Sequence, residues 1–216
     1  MEDNLLKWSR SGACLVDKFE LKSFIINELE EGTIRQNYFP MLTNYGLRDY
    51  SESVHSTGLN YLTEIGRQIE GVTSLSEFSV YPVDSQYSHT ATREVRPDSL
   101  WFERDTGMPL FVAEFERFES SKLKHDKLRE KIENLLLAYH QLGGKLAVIL
   151  FVYWSYQGNI PKDIDNYLRV FDEGFCMANG KYIPGVSSFH TECIVFQAIA
   201  NGLKEKLTIN QWLQVR

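Results

Sequence analysis

Three acids in the stretch 95–119 have the types and spacing for chemistry. Pro97-Asp98 opens one strand-like run and Glu114-Phe115-Glu116 closes the next. Residues two apart on a strand share a face, so Glu114 and Glu116 stand side by side while Phe115 points to the opposite, core face. A neighbouring strand can carry Asp98 to the same place. Three carboxylates brought together repel one another, and a divalent cation relieves that repulsion. Hard oxygen ligands suit Mg²⁺, or Mn²⁺ in its place, and Mg²⁺ takes only one or two carboxylates and keeps several waters. Such an ion acidifies a bound water and neutralises charge developing on a scissile phosphate. Asp98, Glu114 and Glu116 are therefore the expected metal ligands and catalytic groups. The plainer alternative is a charged, solvated sheet face. The apolar prefix Leu110-Phe111-Val112-Ala113 argues against it, because it makes Glu114 the end of a buried run. Glu103, Arg117 and Glu119 are expected as exposed pairs near strand ends.

Lys124, Lys127 and Lys131 recur at i, i+3 and i+7 and line one flank of a helix. They are candidate phosphate contacts; the alternative is a solvated flank with partners on the same helix, such as Lys127 with Glu130. His55, His89, His125, His140 and His190 show no metal-ligand spacing. His140 lies near a helix end, where a cation suits the dipole. His89 falls in a loop before the second strand. Cys14, Cys176 and Cys193 are odd in number and widely separated, which predicts reduced, mostly buried thiols rather than a disulfide framework or a zinc site.

The elements that must position these residues follow from periodicity. The 216 residues suffice for one domain with a full core. Residues 1–50 read as an N-terminal helical addition, with a short helix ending near Gly32 and a loop over 37–46. Residues 51–154 form the core. Val54, Gly58, Leu62, Ile65 and Ile69 predict a helix over 51–71, with Glu64 and Glu70 on its solvated side. Strands are expected at 77–83, 94–103 and 109–117, with a hairpin turn at 104–107. Leu128, Ile132, Leu135, Tyr139 and Leu142 predict a helix over 120–143, with Asp126, Glu130 and Glu133 on its solvent side. The apolar run 145–154 predicts a strand covered on both faces. Residues 155–216 form a C-terminal elaboration: a helix over 161–171, an extended piece at 181–186, a strand at 192–199 and a tail ending in a short helix around Trp212.

The formal charge of −6 and the pI of about 5.4 speak against a broad, sequence-blind DNA-binding surface and leave room for a local basic groove. MEDNLLKWSR has no apolar signal region, and 146–154 is too short to span a bilayer; a cytoplasmic protein without a membrane is expected. Trp8, Tyr153, Trp154, Tyr156 and Trp212 are either interface anchors or, more commonly for such residues, core.

In the order helix, three strands, helix, strand, residues 51–154 resemble the core of the PD-(D/E)xK, or restriction endonuclease-like, nuclease superfamily. Pro97-Asp98 matches its first acid literally, and Glu114-Phe115-Glu116 occupies the place of (D/E)xK, about fifteen residues on. The resemblance implies an α/β fold with a central mixed β-sheet flanked by helices. It implies Mg²⁺-dependent hydrolysis of nucleic acid, DNA first, by a chain working alone, as a homodimer or in a larger complex. The lysine position holds Glu116, as in some type II restriction enzymes. There a carboxylate or a second metal-bound water takes over water activation, or a lysine migrates from the next helix. A nuclease-fold binding or regulatory subunit without catalysis is the alternative that this departure raises.

Overall fold

The structure is a computed structural model, and it describes residues 17–49, 51–81, 94–186, 189 and 191–216. Trp8, Cys14, His89 and His190, and the connection expected over 84–93, lie outside the described residues.

The chain is α/β, with a six-stranded mixed sheet in the order β1-β2-β3-β4-β7-β8 and helices on both faces. Helix α1 (Lys18–Glu31) starts where Asp17 accepts a hydrogen bond from the Phe19 amide, and stops where Gly32 adopts φ 73°. That left-handed turn is strained for a residue with a Cβ. Helix α2 (Thr33–Tyr38) follows at once, and a single π-helical turn (Met41–Tyr45) comes next. Most of the loop expected over 37–46 is therefore helical. The Glu28 carboxylate accepts the Ile34 and Arg35 amides and the Tyr61 hydroxyl, so the otherwise unpaired amides that open α2 are satisfied internally. Arg35 stacks 4.9 Å over Trp212. Leu21, Ile25 and Leu29 are fully buried in the same cluster as α3 and β8, which locks 17–49 onto the core.

Helix α3 (Ser51–Arg67) lies on the face that carries Trp101, Phe111, Ala113 and Phe115. Gly58 and Gly66 permit this approach. A Cβ on Gly58 would fall 2.2 Å from the Phe115 ring, and one on Gly66 2.6 Å from Trp101. Strand β1 (Val72–Ser76) pairs antiparallel with β2 (Ser99–Glu103), which pairs antiparallel with β3 (Pro109–Phe118). The first strand thus precedes the expected 77–83, where an isolated Val80–Val95 bridge occurs. Val72 directly follows the helix turn and pairs with Glu103, so the meander begins earlier than its weak alternation suggests.

Helix α4 (Lys122–Gln141) crosses the other face on Leu128, Ile132, Leu135 and Leu136 and leads into β4 (Val148–Tyr156), parallel to β3 and buried along all but its last residue. Helix α5 (Ile164–Glu173), the two-residue hairpin β5 (Phe175–Cys176) and β6 (Tyr182–Ile183), and strand β7 (Glu192–Leu203) follow, β7 lying parallel to β4. The tail is not helical. Residues Lys206–Gln214 form β8, antiparallel to β7, and Trp212 is buried on it beside Phe115. A hairpin partner decides this segment over its local pattern.

Tyr153, Trp154 and Trp212 are core; Tyr156 is half-exposed. Cys176 and Cys193 are both free: Cys176 is exposed, against the expected burial of the thiols, and Cys193 is half-buried against the core. Burial pushes the Cys193 thiol up to about 12. Among the described residues, no helix is long and apolar enough to cross a membrane.

Candidate active site

Backbone register builds the site. Ser99 is paired with Ala113, so one step outward along the antiparallel ladder sets Asp98 against Glu114. Val112 and Phe118 pack on the α4 side, so by alternation Glu114 and Glu116 project to that side too. Phe115 points the other way, into the α3 core, as its parity requires. All three acids are buried: Asp98 is 3%, Glu114 1% and Glu116 3% exposed. They lie toward the C-terminal ends of the parallel pair β3 and β4, the end of an α/β sheet where ligands bind.

Asp98 and Glu114 are neighbours close enough for each charge to bear on the other. Lys131, from α4, places Nζ 2.7 Å from Glu114 Oε2. Lys127 places Nζ 3.1 Å from Glu116 Oε2, while Glu116 Oε1 accepts the Arg117 amide. The lysine flank of α4 thus pairs with strand acids rather than with neighbours on its own helix. Lys124 lines a cavity of about 150 Å³ in front of Glu116, together with Glu52, His55, Arg117, Lys127 and Lys131.

The electrostatics divide the two neighbouring acids. Burial alone would raise the Asp98 carboxyl, but the hydrogen bond with His55, the charge of Lys131 and the Phe115 amide together hold it below its ordinary value. Burial and then the neighbouring Asp98 push Glu114 well above the usual carboxylate range, with Lys131 opposing. The ammonium of Lys131 stays charged, since Glu114 and Asp98 outweigh its burial. One ionised carboxylate therefore lies against another that is costly to ionise, which is the situation a divalent cation relieves. The pair fits such an ion, because Mg²⁺ needs only one or two carboxylates with waters. Among the described residues no three of His, Cys, Asp and Glu form a ready-made cage. Asp98 and Glu114 are the two residues that could hold such an ion, and Glu116 lines the neighbouring cavity.

His55 is the site residue that spacing rules miss. It lies on α3, one residue from Val54 and at the edge of the apolar stripe. Its Nδ1–H donates to the Phe115 carbonyl at 2.7 Å, and its Nε2 lies 3.4 Å from Asp98 Oδ1. The hydrogen bond with Asp98 raises its pKa. Position on the stripe edge was the available signal; a search for histidine pairs could not use it.

Three other expectations change. Arg117 is half-buried, stacks 4.8 Å over Trp154 and pairs with Asp49 at 2.7 Å and Glu119 at 2.5 Å. Glu103 is 6% exposed and accepts a hydrogen bond from the Thr106 hydroxyl. Neither is a solvated strand-end charge; only Glu119 is. His140 does not serve as a cation at the helix end: burial lowers its pKa, and Nε2–H donates to the Pro184 carbonyl at 2.7 Å. Comparison with protein-family models, with curated proteins and with solved structures gives no match.

Proposed function

We propose that this chain is a divalent-metal-dependent phosphodiesterase acting on nucleic acid, with DNA as the first substrate class and a restriction endonuclease-like core as its scaffold. One observation carries the reading. Two buried carboxylates, Asp98 and Glu114, oppose each other across adjoining strands, and a lysine from the following helix lies 2.7 Å from Glu114. The helix–meander–helix–parallel strand order around them supports the scaffold.

Asp98 and Glu114 would hold Mg²⁺ or Mn²⁺. When bound, the ion supplies an acidified water and charge neutralisation at the scissile phosphate. Glu116 faces the cavity as a carboxylate and takes the role of general base, accepting the proton of the attacking water. Lys131, from the following helix, opposes the cost of ionising Glu114 and would stand in for the lysine that the ExE motif lacks. Lys124 and Lys127 border the same cavity and offer cationic contacts to a phosphate. This local cluster supplies positive charge that the acidic chain as a whole lacks.

The test is cleavage of DNA and of RNA with Mg²⁺ or Mn²⁺ by the wild type and by Asp98→Asn, Glu114→Gln and Glu116→Gln. Each substitution should lower the metal-dependent rate at least about 100-fold, with the fold intact by circular dichroism. Undiminished cleavage in the first two variants would refute the assignment.

A second reading has its own observation. Each of the three acids already has protein partners: His55 and the Phe115 amide for Asp98, Lys131 for Glu114, Lys127 for Glu116. Such a self-satisfied network suits a nuclease-fold binding or regulatory subunit that does not cut. Mn²⁺ titration separates the two. Binding that disappears in Glu114→Gln supports the enzyme; no binding, even with DNA present, supports the inert subunit.

A further inference from the structure

We infer that His55 is a positioning residue, which fixes the backbone between Glu114 and Glu116 and the carboxylate of Asp98 as one unit. The inference rests on the proposed metal-dependent reading for its catalytic meaning, and on geometry alone for its structural one.

Strand β2 begins at Ser99, paired with Ala113, whereas β3 continues to Phe118. The backbone groups of Phe115 therefore lie past the end of the β2 ladder, where a buried amide and carbonyl must find other partners. Two side chains supply them. Asp98 Oδ2 accepts the Phe115 N–H at 2.7 Å. His55 Nδ1–H donates to the Phe115 carbonyl at 2.7 Å. The loop of contacts closes because His55 Nε2 also faces Asp98 Oδ1, at 3.4 Å.

A carbonyl only accepts, so Nδ1 carries a hydrogen, and Nε2 turns toward Asp98. His55 thus holds a main-chain oxygen of the ExE segment and faces the first acid at once. The peptide units on either side of Phe115 are the ones that aim Glu114 and Glu116. Holding their N–H and C=O sets the angle between the two side chains and their separation from Asp98. The Phe115 ring, wedged against Gly58 one helical turn along α3 from His55, anchors the same residue from the opposite face.

The experiment compares wild type with His55→Ala by three readouts: Mn²⁺ affinity from electron paramagnetic resonance without nucleic acid, steady-state cleavage, and amide hydrogen exchange. Loss of a group that orients ligands typically costs 10–100-fold in metal affinity or rate. His55→Ala should accordingly weaken Mn²⁺ binding about 10-fold or more and lower kcat with little change in KM. Exchange at the Phe115 amide should accelerate while the β4 amides remain protected. Unchanged Mn²⁺ affinity, kcat and Phe115 protection would overturn the inference. Should His55→Ala fail to fold, His55→Gln, which keeps one donor, is read against the same criteria. Should the wild type neither bind Mn²⁺ nor cleave, the nuclease reading falls, and exchange at Phe115 still decides whether His55 positions the segment.

Discussion

Replacing Lys131 with methionine isolates the charge that supports Glu114. Methionine keeps most of the apolar stem and removes the ammonium 2.7 Å from Glu114 Oε2. The carboxylate left behind is 1% exposed and lies against Asp98, which its surroundings hold ionised. Loss of a hydrogen bond to a charged group costs about 1.5–3 kcal/mol. Lys131→Met should therefore cost about 1.5–3 kcal/mol in the absence of metal. The sign with pH is fixed. A carboxyl whose folded pKa is raised contributes stability below its unfolded pKa and loses it as pH rises through the folded value. Lys131→Met raises Glu114 further, so the variant goes on losing stability above the pH at which the wild type has stopped, and the penalty grows with rising pH. Urea unfolding in EDTA at about pH 5 and about pH 9 measures this. A penalty below about 0.5 kcal/mol, or one smaller at the higher pH, would refute the claim that the Lys131 ammonium offsets the cost of ionising Glu114.

Two further outcomes follow from the packing. Gly58→Ala gains helix propensity of about 1 kcal/mol but drives its Cβ to 2.2 Å from Phe115, so thermal and urea unfolding should show net destabilisation of about 1–3 kcal/mol; equal or greater stability would show that Phe115 yields freely. His140 is held neutral by burial, so the unfolded chain binds the proton more readily and stability falls as pH drops through about 6.5. His140→Gln should flatten that acid-side loss between about pH 7 and 5, and an unchanged slope in parallel unfolding curves would remove His140 as its source.

Much of the fold was legible because local pattern and tertiary environment agree. The stripe on α4 and the unbroken apolar run of β4 describe a helix on a sheet and a strand buried on both faces, and both occur. Gly32 stops α1 because the left-handed turn is written into the residue itself. Where local signals are weak, partners decide: β1 takes its place by pairing with β2, and β8 by pairing with β7, against a pattern that suggested a short terminal helix.

The site divides in the same way. Parity along a strand is a local property, so the spacing of 114 and 116 alone determined that these two acids share a face and that Phe115 opposes them, whereas Asp98 joins them through the β2–β3 register. Spacing on α4 determined that three lysines share a flank. Which acid each lysine meets depends on how far α4 slides along β3, a matter of core packing that put Lys131 on Glu114 and Lys127 on Glu116. The role of His55 depends on where β2 ends and how closely α3 approaches, because only an unpaired stretch of β3 leaves the Phe115 carbonyl open to a side chain. Sequence separation of 60 residues between His55 and Phe115 carries no local signature of that contact. The tertiary fold alone created it, by leaving buried backbone groups that had to be satisfied.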